Sequence, residues 1–209
     1  MAAVHGHLAD GDGAPLPFQR AVDALSSARV RPEVEIDTTT PPKRLASYAY
    51  ALEATVVVDG DELADGRLIL LHEPAGHEAW NGTFRLVTLV RADLEPEMAT
   101  DPLLPEVSWS WLTGALEARS AGYTEPSGTV SRSSSHFFGG IAERPDSTAI
   151  EIRASWTPSE GTGGVPDVAA HLAAWCDLLC SCAGLPPAEG HEPPDRPGGG
   201  VVPMPKRRG

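Results

Sequence analysis

Cysteine is scarce: Cys176, Cys180 and Cys182 are the only three in 209 residues, all in one short stretch. That odd, clustered set is no disulfide framework of a secreted protein. No apolar run approaches the length of a membrane span, so no membrane association is expected. The opening MAAVHGHLADGDGAPLP lacks the basic flank and apolar core of a signal peptide. A cytoplasmic location follows by elimination. Basic residues are also in deficit: the net charge is −13, which disfavours a nucleic-acid partner, and Lys206, Arg207 and Arg208 are too few to reverse it. Arginine greatly outnumbers lysine, a bias read as one of coding rather than mechanism. A P-loop, a GxSxG elbow and an HExxH helix are all missing.

What is present fits one domain with a sizeable core. Residues 1–15 are small and polar, and 188–209 are rich in proline and glycine; both read as disordered, leaving a single domain over 16–187. PFQRAVDALSSARV has the spacing of a short amphipathic helix, and EVEIDTTTPPKR looks extended before turning at Pro41-Pro42. Strict alternation from about Leu45 to Val58 predicts a strand with one strongly apolar face. VDGDELADG reads as an acidic turn, RLILLH as a second strand, EPAGHEAWNG as a connection turning at Asn81-Gly82, and TFRLVTLVRA as a central third strand.

The stretch ATDPLLPEVSWSWLTGALEARS reads as the main helix, capped by Thr100 or Asp101, with Pro102 or Pro105 in its first turn. Its apolar stripe is Leu104, Val107, Trp111, Ala115 and Ala118, widened by Trp109, Leu112 and Leu116; Trp111 is expected in the core. Gly114 is expected to admit a neighbouring backbone or ring. AGYTEPSG reads as a turn, GTVSRSSSHFF and TAIEIRASWT as the last two strands, and PDVAAHLAAWCDLLCSCAG as a helix. Leu172, Trp175, Cys176, Leu179 and Ala183 form the buried stripe of that helix, with His171 and Cys182 off it.

The expected fold class is therefore α+β: a two-layer domain with a mainly antiparallel sheet of about five strands and helices on one face, in the order α-β-β-β-α-β-β-α. That order is analogous to type III secretion chaperones and YbjN-like proteins. The open sheet face is expected to carry Glu53, Glu151 and Arg153, joined by Arg85, Arg91, Arg132 and His136.

Five phrases carry a resemblance: ATDPLLPEVSWSWL, GRLILLHEPAGHEAWNGTFRLVTLVRA, SSSHFFGG, EIRASWTP and AAWCDLLCSCAGLPP. Over roughly Pro17 to Pro187 the chain resembles an actinobacterial family, the domain of unknown function numbered 3000. The resemblance implies no activity and transfers no catalytic residue.

Four constellations carry residue types that do chemistry. His72 and His77, with Glu73 and Glu78, are metal-ligand types, but Pro74 and Gly76 make their segment a loop, and a solvated connection is the simpler reading. The three cysteines have neither CxxC nor zinc spacing and read as small core hydrophobes, with redox sensitivity as the alternative. Gly161, Gly163 and Gly164 precede a helix start but lack the phosphate-binding lysine. Ser133, Ser134, Ser135 and His136 have no identifiable acid partner for acyl transfer.

The expected function is a non-enzymatic binding or adaptor domain. It recognises a protein partner, or a second copy, through a surface drawn from Arg132, His136, Arg153, Glu151, Glu53 and Trp109. No cofactor is expected. The alternative is a small-molecule-binding protein or enzyme with a pocket around His136, Arg132 and Arg153.

Overall fold

The computed structural model describes residues 13–186. The expected disordered segments 1–15 and 188–209 therefore lie outside the described residues, apart from residues 13–15. The element order is α1 (Leu16–Ser27), β1 (Val34–Thr39), β2 (Tyr48–Val58), β3 (Asp61–His77), β4 (Gly82–Asp93), α2 (Pro96–Ala99), α3 (Leu104–Ala118), β5 (Tyr123–Ser135), β6 (Ser147–Pro158) and α4 (Val168–Cys182). Six strands form one antiparallel sheet in the order β1-β2-β3-β4-β6-β5. The expectation of about five strands falls one short. β1 is the extended segment after α1, which pairs with β2 from Val34 opposite Val56 to Thr39 opposite Ala51.

Two expected turns prove to be strand. Asp59 and Gly60, both at positive φ, suffice to reverse the chain, so β3 starts at Asp61 within the acidic stretch. Tyr123 and Thr124 already pair with β6, and a bulge between Thr124 and Ser127 absorbs Pro126. The expected loop LHEPAGH also belongs to β3, whose ladder to β4 is interrupted between His72 and His77. The chain then turns through Glu78–Trp80 and the left-handed Asn81, as the Asn81-Gly82 pair predicts.

Period-two alternation sorts each strand onto two faces. Tyr50, Leu52, Ala54 and Val56 of β2 face the helices, with Leu68 and Leu70 of β3, Phe84, Leu86 and Val90 of β4, and Ile150, Ile152 and Trp156 of β6. α1, α3 and α4 complete that core with Phe18, Leu112, Leu116, Leu172 and Trp175. The helix-on-one-face expectation agrees with this core.

α4, not α3, is the element most enclosed. Asp167 caps it by accepting a hydrogen bond from the Ala170 amide at 3.1 Å. It packs against the sheet, α1 and α3, so His171 and Cys182, expected off the buried stripe, are buried too. Gly66 permits this approach: a Cβ there would lie 2.9 Å from Leu179 Cδ2 and 3.1 Å from Trp175 Cζ2. Trp175 Nε1 donates to Thr88 Oγ1 at 2.7 Å, and Thr88 donates onward to the Arg67 carbonyl at 2.9 Å. Trp156 Nε1 donates to His171 Nδ1 at 3.2 Å. The bidentate pair of Arg119 and Asp177, at 2.7 and 3.0 Å, ties the end of α3 to α4.

In α3 the buried row is Leu104, Ser108, Leu112 and Leu116. Ser108 fits because its hydroxyl donates to the Leu104 carbonyl at 2.6 Å. Val107 is exposed and Trp111 only half-buried, so the expected stripe is rotated from the observed one. Asp101 accepts from the Leu103 amide at 2.8 Å just ahead of the helix. Gly114 faces open space rather than a neighbour. The tryptophan of α3 that needs a glycine is Trp109, whose Cζ3 would lie 2.8 Å from a Cβ at Gly128 on β5.

Candidate functional site

The face of the sheet turned away from the helices is a grid. Strand register sets its rows across β2, β3, β4, β6 and β5. One row is Ala51, Ile69, Val87, Ser155 and Ser127. The next is Glu53, Arg67, Leu89, Arg153 and Thr129, and the next Thr55, Asp65, Arg91, Glu151 and Ser131.

Charges alternate on this grid. Glu53 pairs with Arg67. Glu151 bridges Arg91 at 2.8 Å and Arg153 at 2.7 Å. The hydrogen bond from Arg67 holds the Glu53 carboxyl below its ordinary range, and that from Arg91, with Arg153 beside it, does the same for Glu151. Glu53–Arg67 and Glu151–Arg91 join neighbouring strands, whereas Arg153 reaches Glu151 along β6; exposed pairs of this kind add little stability.

One end of the face is closed over. Ala51, Ile69 and Leu71 form a small second core under Ala46, Ala49, Trp80 and Val87. Arg85 lies beside it and is only 6% exposed. Its Nη1 donates to Thr157 Oγ1 at 3.0 Å, and Thr157 donates in turn to the Trp80 carbonyl at 2.5 Å. Its Nη2 donates to Ser155 Oγ at 2.8 Å, Ser127 Oγ at 3.2 Å and the Ser155 carbonyl at 3.3 Å. All these acceptors are neutral. Among the described residues no carboxylate lies within ion-pair distance of Arg85. Burial pushes its pKa down, and Glu125 in the β5 bulge opposes this from a distance.

A shallow groove of about 500 Å³ runs over the middle of the grid. Ile69, Val87 and Leu89 form its apolar floor, and Arg67, Arg153, Ser127, Thr129 and Ser155 rim it.

The expected site residues divide. Glu53, Glu151 and Arg153 share the open face, as alternation predicts. Arg132 does not: it lies opposite Ile150, on the helix side, and donates to the Ala99 carbonyl at 2.7 Å, fastening α2 to the sheet. His136 lies beyond the end of β5, where Nδ1 meets Asp146 Oδ2 at 2.8 Å across the exposed β5–β6 turn. Arg132, His136 and Arg153 therefore form no common pocket. β5 has no apolar alternation to announce its phase, so a polar strand can be read one residue out of register. Trp109 is half-buried against Gly128.

The other candidates separate likewise. His72 is buried, stacked on Phe84 at 4.1 Å, with Nδ1 donating to the Thr83 carbonyl at 3.0 Å; burial lowers its pKa. His77 stacks on Trp80 at 4.5 Å. Cys176, Cys180 and Cys182 are buried, and desolvation pushes their thiols up to about 12, 11 and 12. Such thiols are protonated and poorly nucleophilic at neutral pH. The residue that the charge pattern understated is Arg85. Its strand phase was legible, but its burial depends on Ser127 of β5 and Ser155 and Thr157 of β6 arriving from elsewhere in the chain.

The fold and face together define a two-layer α+β domain with one helix-covered and one open sheet face. The chain belongs to the DUF3000 family, proteins of unknown function, which matches residues 14–191. No curated protein and no solved structure matches it. Among the described residues no helix is long and apolar enough to cross a membrane.

Proposed function

We propose that this domain is a non-enzymatic binding or adaptor module that captures an extended segment of a protein partner along the outer edge of β5. The observation that carries the reading is the state of that edge. β5 is 13 residues long, ends the sheet, and is exposed at nearly every position. Edge strands are templates for pairing unless something blunts them. The opposite edge, β1, has six residues between Arg31-Pro32 and Pro41-Pro42. β5 carries its proline at the bulge, leaving Ser127–Ser135 with Arg132 as the only charge, turned to the helix side. Strand addition there would supply backbone hydrogen bonds to the partner, with the serine row reading alternate side chains.

The cytoplasm is the proposed setting, in keeping with three free, buried thiols. The analogy of order with type III secretion chaperones and YbjN-like proteins favours a binding role only by analogy.

The test is capture of partners from native lysate by the tagged full chain, compared with Ser131→Lys/Ser133→Lys. Both positions are exposed, so folding should persist. Reproducible partners lost from the lysine variant, but kept by a control such as Arg29→Glu just after α1, support the reading. Partners retained by the lysine variant sink it. Light scattering on the purified protein separates a second copy from a different chain as the added strand.

A further inference from the structure

We infer that the groove on the open sheet face is a binding site for a small organic acid, a carboxylate on an apolar body, with Arg85 as its buried anchor charge. The inference is independent of strand capture at the β5 edge, because it rests on the groove and on Arg85. A guanidinium this deeply buried ordinarily has a carboxylate beside it, since neutral acceptors only partly replace lost hydration. Arg85 has hydroxyls and one carbonyl instead.

Two of those hydroxyls, Ser127 and Ser155, also line the groove. A guanidinium only donates, so both serine oxygens must accept from it. Their own O–H groups are then what remains to be used. The two oxygens lie 3.3 Å apart, so one hydroxyl can donate to the other, and a proton is still left to donate into the groove. The wall thus presents a hydroxyl donor polarised by a buried cation, an arrangement selective for an anion. One row away, Arg67 and Arg153 flank Leu89 and add positive potential, although Glu53 and Glu151 already occupy them.

The floor decides the rest of the ligand. Ile69, Val87 and Leu89 offer apolar contact but no hydrogen-bonding side chain. A fully hydrated ion such as phosphate would lose water against them without return. An acid with a short alkyl or aryl body covers the floor while its carboxylate meets the serines. The groove is large enough for such a molecule.

The full chain, uniformly labelled with nitrogen-15, is titrated with sodium octanoate, 1-octanol and inorganic phosphate, and amide shifts are followed. Octanoate is expected to give saturable shifts at Val87, Leu89, Ser127, Thr129 and Ser155. Octanol and phosphate are expected to bind at least about tenfold more weakly, the factor ordinarily associated with one charge-assisted hydrogen bond. Ser127→Ala/Ser155→Ala is expected to weaken octanoate by a similar factor, and Arg85→Met to abolish the shifts. If Arg85→Met fails to fold, the serine variant decides. Octanol matching octanoate overturns the anion, and phosphate matching octanoate overturns the apolar body. Shifts elsewhere, no saturation, or an unaffected serine variant overturn the site.

Discussion

His171 shows how one buried side chain couples this fold to pH. It is 1% exposed and accepts a hydrogen bond from Trp156, so the neutral ring is the one that fits. Burial lowers its pKa to about 4 from an ordinary 6.5. The unfolded chain therefore takes up the proton first as pH falls. Stability contributed by the neutral ring is complete above about 6.5 and lost progressively toward 4, by about 3 kcal/mol from this group. Urea unfolding at pH 7 and pH 4.5 should show the loss, and His171→Gln should flatten it. An equally steep fall in the variant would place the titration elsewhere, with His72 the next group to test.

The cysteines make a second prediction at the same scale. With thiols raised to about 12, 11 and 12, the native protein at pH 8 should resist an aromatic disulfide reagent. All three should react on unfolding. Rapid reaction of any one in the native state would restore the redox alternative.

Among the elements, close approach is purchased with glycine at two strands and wasted at one helix. Gly128 lies under Trp109 and against the β6 backbone, so Gly128→Ala should destabilise by about 1–3 kcal/mol through overpacking. Gly114 has nothing near its missing Cβ, so Gly114→Ala should stabilise α3 by about 0.5–1 kcal/mol. Thermal midpoints moving in opposite directions would confirm both placements; the same sign for both would contradict them. The tryptophans separate in the same way. Trp175 is fully buried in α4, and Trp175→Ala should cost about 3–5 kcal/mol, while half-buried Trp111 should cost clearly less. Spacing alone places Trp111 on one stripe with Leu104, Val107 and Ala115, which predicts a core position. The helix rotated to bury Ser108, which satisfies its own hydroxyl within the helix.

For the whole molecule, the sheet order implies a gradient of protection. β3 and β4 lie at the middle of the sheet with α4 across one face, whereas β1 and β5 end the sheet. Hydrogen exchange should be slowest in β3 and β4 and fastest along β1 and β5. Slow exchange along the free side of β5 in the purified protein would mean that another chain already covers it.

The α+β class, the antiparallel pairing and the core faces of β2, β4 and β6 were legible in the amino acids alone, because period-two alternation and short turns are local signals. The turn at Asn81-Gly82 was legible for the same reason. Glu53, Glu151 and Arg153 could be placed on one face by phase alone. Tertiary structure decided what depends on partners distant in sequence. It paired β1 to β2, placed the serine-rich β5 so that Arg132 faces the helices, and separated His136 from Arg153. It also buried Arg85 under residues more than 40 positions away. A polar strand carries no hydrophobic phase, and a charge's burial is set by whatever folds over it, so neither is written in any local stretch of the chain.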